Sequence, residues 1–329
     1  MTRSRSSPPD AELRRLGSTG LPVTAVGLGL AALGRPGYLN IGHGADLGAD
    51  RSVGALERRT HAVLDAAYEA GVRYFDAARS YGRAEQFLAS WLEARELEPG
   101  AVTVGSKWGY TYTADWRVEA DPPEVKDLSV AAFRRQLEET RTLLGPWLSL
   151  YQIHSATLSS GVLDDSALMS ELADLRASRT AIGLTVSGTE QPETIERALE
   201  TGAFDAVQAT FNLLERSAGP ALARAHAGGL GVIVKEALAN GRLSTRGGCE
   251  PLERVAQRLG VSSDAVAIAA VLAEPWVDVV LSGAATPEQL LSNLAGTELT
   301  LDPERRAELR GLAEPSDRYW STRSELRWN

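Results

Sequence analysis

The chain has one cysteine in 329 residues, Cys249, so no intramolecular disulfide framework can form. A lone thiol in the loop Arg246-Gly247-Gly248-Cys249-Glu250 reads as a surface group in a protein of a reducing compartment. A basic excess is also missing: 34 Lys and Arg stand against 43 Asp and Glu, a net charge of -9. Over a Debye length of roughly 8 Å that charge repels nucleic acid and anionic lipid, and neither is expected as a partner. No run approaches the roughly 18 apolar residues of a spanning helix. Met1 to Asp10 carries Arg3 and Arg5 without an apolar core, which rules it out as a secretory signal. The expectation is a cytoplasmic protein with no metal centre, residues 1–12 forming a disordered tail and residues 13–329 one domain.

What the sequence does have is alternation. Short apolar runs take turns with stretches whose apolar residues recur at three and four, the pattern of a parallel sheet with helical crossovers. Eight strands are expected, near Ala25–Leu30, Val72–Phe75, Val102–Ser106, Leu148–Ile153, Ala181–Val186, Ala206–Gln208, Gly231–Val234 and Val277–Leu281. Helices are expected at Thr60–Ala70, Ala84–Ala94, Val130–Leu144, Ser166–Ala177 and Pro192–Thr201, with Gly71, Gly145 and Gly202 as stops. The fold class that follows is α/β, a (β/α)8 barrel. The segment Leu13–Val23 reads as a hairpin too polar to join the core, placed to plug the barrel floor. Long connections at 35–59, 108–127 and 236–250 all follow strands and so belong to the C-terminal face, where such barrels bind ligands.

Gly27-Leu28-Gly29-Leu30-Ala31-Ala32 matches a dinucleotide fingerprint, but Gly34, Pro36 and Gly37 break the chain where that motif needs a helix. More informative are Asp76, Tyr81, Lys107 and His154, each at or just past the end of a strand-like run. An ammonium beside a phenol stabilises the phenolate and lowers its pKa from about 10. Asp76 can hold Lys107 in place, and a neutral His154 can donate a hydrogen bond to a carbonyl oxygen as charge builds there. Taken singly, each residue also reads as ordinary structure: a rim ion pair, a half-buried tyrosine, a core histidine.

With Val26-Gly27-Leu28-Gly29, Tyr81-Gly82, Gln208 with Asn212, and Gly283 with Gln289 and Asn293, these residues resemble the aldo-keto reductases from Leu13 to about Leu312. The resemblance implies NAD(P)H-dependent reduction of an aldehyde, ketone or sugar-like carbonyl, or oxidation of its alcohol, with Tyr81 as general acid or base. It implies a nicotinamide site near Thr185 and Gln208, on strands five and six, with Gly29 on the first strand contributing. Leu238, Gly241 and Arg242 would fold over the pyrophosphate. Gly283, Ala284 and Thr286 would lead into a helix start suited to phosphate, with Gln289 and Asn293 at the adenine end.

Two departures from the family pattern stand out. No Lys or Arg lies between Leu281 and Asn293, where relatives selective for NADP hold the 2′-phosphate, so NADH becomes a candidate and the phosphate form stays open. Lys235 replaces the usual stacking aromatic; it either disfavours the oxidised, positively charged nicotinamide or pairs with Glu236 and leaves the pocket open. Candidate pocket walls are Trp108, Tyr110, Tyr112 and Trp116, then Arg35, Tyr38, Asn40 and His43, and lastly Tyr319 and Trp320. Other readings of the same barrel are cofactor-independent acid/base catalysis of an elimination or isomerisation, and a non-catalytic binding subunit.

Overall fold

The computed structural model describes residues 12–329. The tail expected at residues 1–12 falls, except for its last residue, outside that range. Eight parallel strands close into a barrel: β1 (Val26–Gly29), β2 (Tyr74–Asp76), β3 (Thr103–Trp108), β4 (Leu148–Ala156), β5 (Ala181–Val186), β6 (Ala206–Thr210), β7 (Gly231–Lys235) and β8 (Val279–Ser282). Neighbours in space are neighbours in sequence, and β8 closes on β1 through Val280 opposite Val26 and Leu281 opposite Gly27. These strands are buried on both faces, which is why they read as near-continuous apolar runs rather than as alternating ones.

Helices α1 (Val53–Glu69), α2 (Ala84–Ala94), α3 (Val130–Leu144), α4 (Ser166–Ala177), α5 (Gln191–Thr201) and α6 (Gly219–Ala227) link successive strands up to β7. The crossover from β7 to β8 uses two helices, Glu250–Leu259 and α7 (Ser263–Leu272), and α8 (Pro287–Leu294) follows β8. Among the described residues no single helix is long and apolar enough to cross a membrane. The first helix starts well before the expected Thr60, because Ser52 caps it by accepting from Ala55 N (3.4 Å). Its apolar stripe of Leu56, Val63, Leu64 and Ala67 then faces the barrel from that earlier start.

The hairpin pairs Arg14 with Val23 and Arg15 with Pro22. Its expected exclusion from the core is wrong: Leu16 and Val23 are fully buried, packed with Tyr74, Leu150, Ala206 and Ile233 across the barrel floor. The polar residues around them lie on the solvent side, so average polarity misled where two well-placed apolar side chains sufficed. Strand ends also run further than expected. Asp76 and Lys235 are the last residues of their strands, Lys107 is the last but one, and His154 lies two residues before the end of β4.

Candidate active site

Asp76 ends β2 and is 1% exposed, so its charge must be met inside the protein. Four side chains do this. Lys107 Nζ, from β3, donates to Oδ2; Tyr74 OH (3.1 Å), Gln152 Nε2 from β4 (3.3 Å) and Gln208 Nε2 from β6 (3.2 Å) donate to Oδ1. Lys107, equally buried, gives a second hydrogen bond to Ala77 O (3.0 Å). Gln208, expected to meet a nicotinamide, lines the cleft and also braces Asp76.

Tyr81 follows on the loop between β2 and α2. That loop is fastened to β3 through Ala77 N to Gly105 O (2.8 Å) and Arg79 N to Lys107 O (3.0 Å). The Arg79 side chain is held by Glu85 and Glu139, and Glu85 in turn accepts from Ser106 (2.6 Å) and Thr140 (2.8 Å). The first loop presses on Tyr81 from the other side: a Cβ on Gly34 would come within 2.1 Å of the Tyr81 carbonyl oxygen, so only glycine fits. The phenol ring thus sits between two cations, with Lys107 Nζ 4.9 Å and the Arg35 guanidinium 5.4 Å from its centroid. His154 meets it edge-on at 5.4 Å.

The expected lowering of the Tyr81 pKa is not what the surroundings give. Burial and then the charge of Asp76 push the hydroxyl well above its ordinary value, and Arg35 opposes them only in part. The phenol therefore holds its proton. His154 goes the other way: burial first, then Lys107, Lys235 and Arg35, hold it well below 6.5, so the imidazole is neutral. Its Nδ1 is 3.4 Å from Ser80 Oγ.

A cleft of about 280 Å³ opens above these groups. Gly29, Tyr38, Asp76, Tyr81, His154, Gln208 and Lys235 line it at one end, and Leu238, Gly241, Gly283, Ala284, Gln289 and Asn293 continue it toward α8. Lys235 Nζ is tied to Ser187 Oγ (3.0 Å) and Thr210 Oγ1 (2.7 Å) and lies 4.0 Å from Glu236. Burial pulls this ammonium down to about 8, against the pull of Glu236. Glu236 is committed elsewhere, to Arg323 of a C-terminal helix at 2.9 and 3.0 Å. Although burial works to raise its carboxyl, Arg323 and Lys235 hold it at about 2.

Several expected residues do not reach the cleft. Thr185 is fully buried, and its hydroxyl accepts from Ser155 N (2.7 Å), fixing a strand end where Ser155 has φ +54°. Trp108 faces away from the cleft, against Phe133 (centroids 5.0 Å apart), because it alternates with Lys107 along β3. Tyr110 packs edge-on to His154 at 5.1 Å, outside the cleft lining. Arg242 is held by both oxygens of Glu314 (2.5 and 3.2 Å) and so has no free fork for a phosphate. Thr286 caps α8 by accepting from Gln289 N (3.3 Å).

Sequence reasoning also missed some members. Asp264, near the start of α7, is 6% exposed, lines the cleft and reaches Asn293 (2.9 Å), which is bonded to Ser282 Oγ (2.8 Å). Asp46 and Arg246 form a two-point ion pair (2.6 and 2.8 Å) between the first loop and the loop after β7, both residues lining the cleft. Gln152 had a signal, a polar residue two positions before His154 and on the same strand face. Asp264 and Asp46 had none, since nothing local ties them to the barrel mouth.

Residues 41–314 match the sequence model of the Aldo/keto reductase family. The chain is 26% identical over 344 residues to a pyridoxal 4-dehydrogenase of Microbacterium luteolum, an alignment covering 89% of this chain and 95% of that protein. It is 21% identical over 307 residues to the uncharacterized oxidoreductase YqkF of Bacillus subtilis, covering 85% and 89% respectively. In three dimensions it resembles the holo form of an aldo-keto reductase from Bacillus halodurans, with TM-score 0.70, 21% identity, and coverage of 92% of this chain and 97% of that one.

Proposed function

The chain belongs to the aldo/keto reductase family and is an oxidoreductase, and from that premise we propose that it moves hydride between a nicotinamide dinucleotide and a small polar carbonyl compound. The observation that carries the reading is the phenol of Tyr81, set at the cleft between Lys107, Arg35 and His154. A relative named for pyridoxal supports a small polar aldehyde as the substrate class.

The cleft residues fit such a cofactor. Gln208 and Ser187 offer polar groups beside Tyr81, the buried Asn240 keeps an unpartnered Oδ1 on the cleft wall, and Gly283 leaves open space where a side chain would intrude. Gln289 and Asn293 would hold the adenosine end. Reduced nicotinamide would supply the hydride. Tyr81 would give its proton to the carbonyl oxygen as hydride reaches the carbon, and the phenolate left behind would face two cations. With each cation about 5 Å from the ring centre and an effective dielectric near 20, each attraction is on the order of 3 kcal/mol, offset in part by the repulsion of Asp76. His154 would steady the same oxygen: if Ser80 donates to Nδ1, the imidazole proton sits on Nε2, free to be donated. Asp76 would keep the Lys107 ammonium under the Tyr81 ring, while its own charge helps hold the proton on the phenol until transfer.

We further assign NADH as the preferred form. Asp264 and Asp46 bring two carboxylates to the end lined by Gln289 and Asn293, where a 2′-phosphate would meet negative charge, and Arg246 is already paired with Asp46. The test of the core reading is Tyr81→Phe. Turnover of aldehyde should fall by roughly 10²-fold or more while NADH still binds, read by quenching of protein fluorescence. Full activity in that variant would remove Tyr81 from its role.

A further inference from the structure

One cation in the cleft is given only part of a task by the hydride-transfer reading. Arg35 is 3% exposed and lines the cleft beside Tyr81. Its Nη1 donates to Ser80 O (2.9 Å) and to Glu124 Oε2 (3.0 Å). Nε is buried without a partner, and Nη2 makes no hydrogen bond among the described residues. The guanidinium carbon lies 5.4 Å from the Tyr38 ring centroid, 5.4 Å from that of Tyr81 and 4.4 Å from that of Trp328.

A buried guanidinium with idle donors is costly unless something completes it. Three aromatic faces hold its plane without using any N–H, so orientation is fixed while hydrogen-bonding capacity is left over. A planar fork presented in this way suits an oxygen anion, and Lys could not replace it. Glu124, the one carboxylate it touches among the described residues, engages a single nitrogen and is itself a quarter exposed, so the cation is not fully compensated.

The geometry points to Arg35 as a specificity-determining residue that binds an ionised oxygen, carboxylate or phenolate, carried by the substrate close to its reacting carbonyl. The guanidinium and the Tyr81 ring are in contact, so one small molecule spans both: its carbonyl oxygen meets the phenol while its anionic oxygen meets the unused donors. This rests on the proposed reduction for which carbonyl reacts, and on Arg35 alone for what is recognised.

The test pairs probes in which one methyl group removes the charge: 2-carboxybenzaldehyde against its methyl ester, and 2-hydroxybenzaldehyde, above the pKa of its phenol, against 2-methoxybenzaldehyde. The wild-type chain should favour the anionic member of at least one pair by tenfold or more in kcat/KM, and which pair shows it separates carboxylate from phenolate. Arg35→Met should lower turnover of both members, since Arg35 also faces the Tyr81 ring, and should lose at least tenfold more on that anion than on its neutral partner. Glu124→Gln, which removes the competing negative charge and leaves the cleft lining intact, should widen the preference. Equal preference in the wild type, or equal loss on both members in Arg35→Met, overturns the assignment. Calorimetric titration with the same four compounds reads the preference without turnover. If no aldehyde is reduced, the proposed reaction fails while the ratio of dissociation constants still decides the role of Arg35.

Discussion

Replacing Lys107 with Met removes one charge from a pair in which both side chains are almost wholly buried. What it leaves behind sets the magnitude. Breaking a buried pair by deleting one partner typically costs 3–5 kcal/mol, because the remaining charge is stranded. Asp76 keeps three donors, Tyr74, Gln152 and Gln208, which places the expected loss near the lower end, about 3 kcal/mol. Adding Asp76→Asn to Lys107→Met takes the stranded charge away at nearly constant shape. The double variant should therefore be more stable than Lys107→Met alone, by about 1–2 kcal/mol. Urea unfolding at pH 7, followed by circular dichroism on wild type, both single variants and the double, measures the coupling directly. Activity should not recover with stability, since neither variant set restores an ammonium under Tyr81. The reasoning fails if Lys107→Met is as stable as the double variant, which would mean that Asp76 carries no uncompensated charge once its amine is gone.

Other outcomes follow from the same geometry. NADH should bind at least tenfold more tightly than NADPH, and Asp264→Ser should narrow the ratio; titration of protein fluorescence with both nucleotides decides it. Lys235 loses its charge as pH rises through about 8, so binding of the oxidised, positively charged nicotinamide should tighten from pH 7 to 9, and Lys235→Met should abolish that dependence. His43 is fully buried with both ring nitrogens unpartnered, and burial holds it at about 4. Between pH 6.5 and 4 the unfolded chain takes up the proton that the folded one refuses, so stability present above pH 6.5 falls as the medium is acidified, by up to about 3 kcal/mol from this group. A His43→Leu chain should show a shallower decline in urea midpoint over that interval; an unchanged slope would clear His43 of the effect.

The barrel was readable because its strands are apolar on both faces and its crossovers amphipathic, so period and run length alone separate them. Asp76, Tyr81, Lys107 and His154 were readable for a related reason: a charged or polar group ending such a run has few structural explanations. Long-range closeness was not readable. Trp108 was placed beside the cleft because it follows Lys107, yet strict alternation along β3 turns it to the opposite face. Arg242 looked available for a phosphate until Glu314, 72 positions away, proved to hold it. The direction of the Tyr81 shift was misjudged because a neighbouring ammonium was counted while the cost of enclosing a phenolate, and the carboxylate beside it, was not.

The carboxylate of Asp76 is where strands β2, β3, β4 and β6 are knotted together through Lys107, Gln152 and Gln208. The proposed chemistry and the scaffold therefore share one fastening, and replacing any one of these side chains leaves the others with a changed partner. Arg35, Tyr38 and Trp328, by contrast, hang from loops at the rim and can be exchanged without disturbing that knot. A laboratory lineage selected for new substrates should accumulate its first changes at the rim, while the centre of the barrel stays fixed.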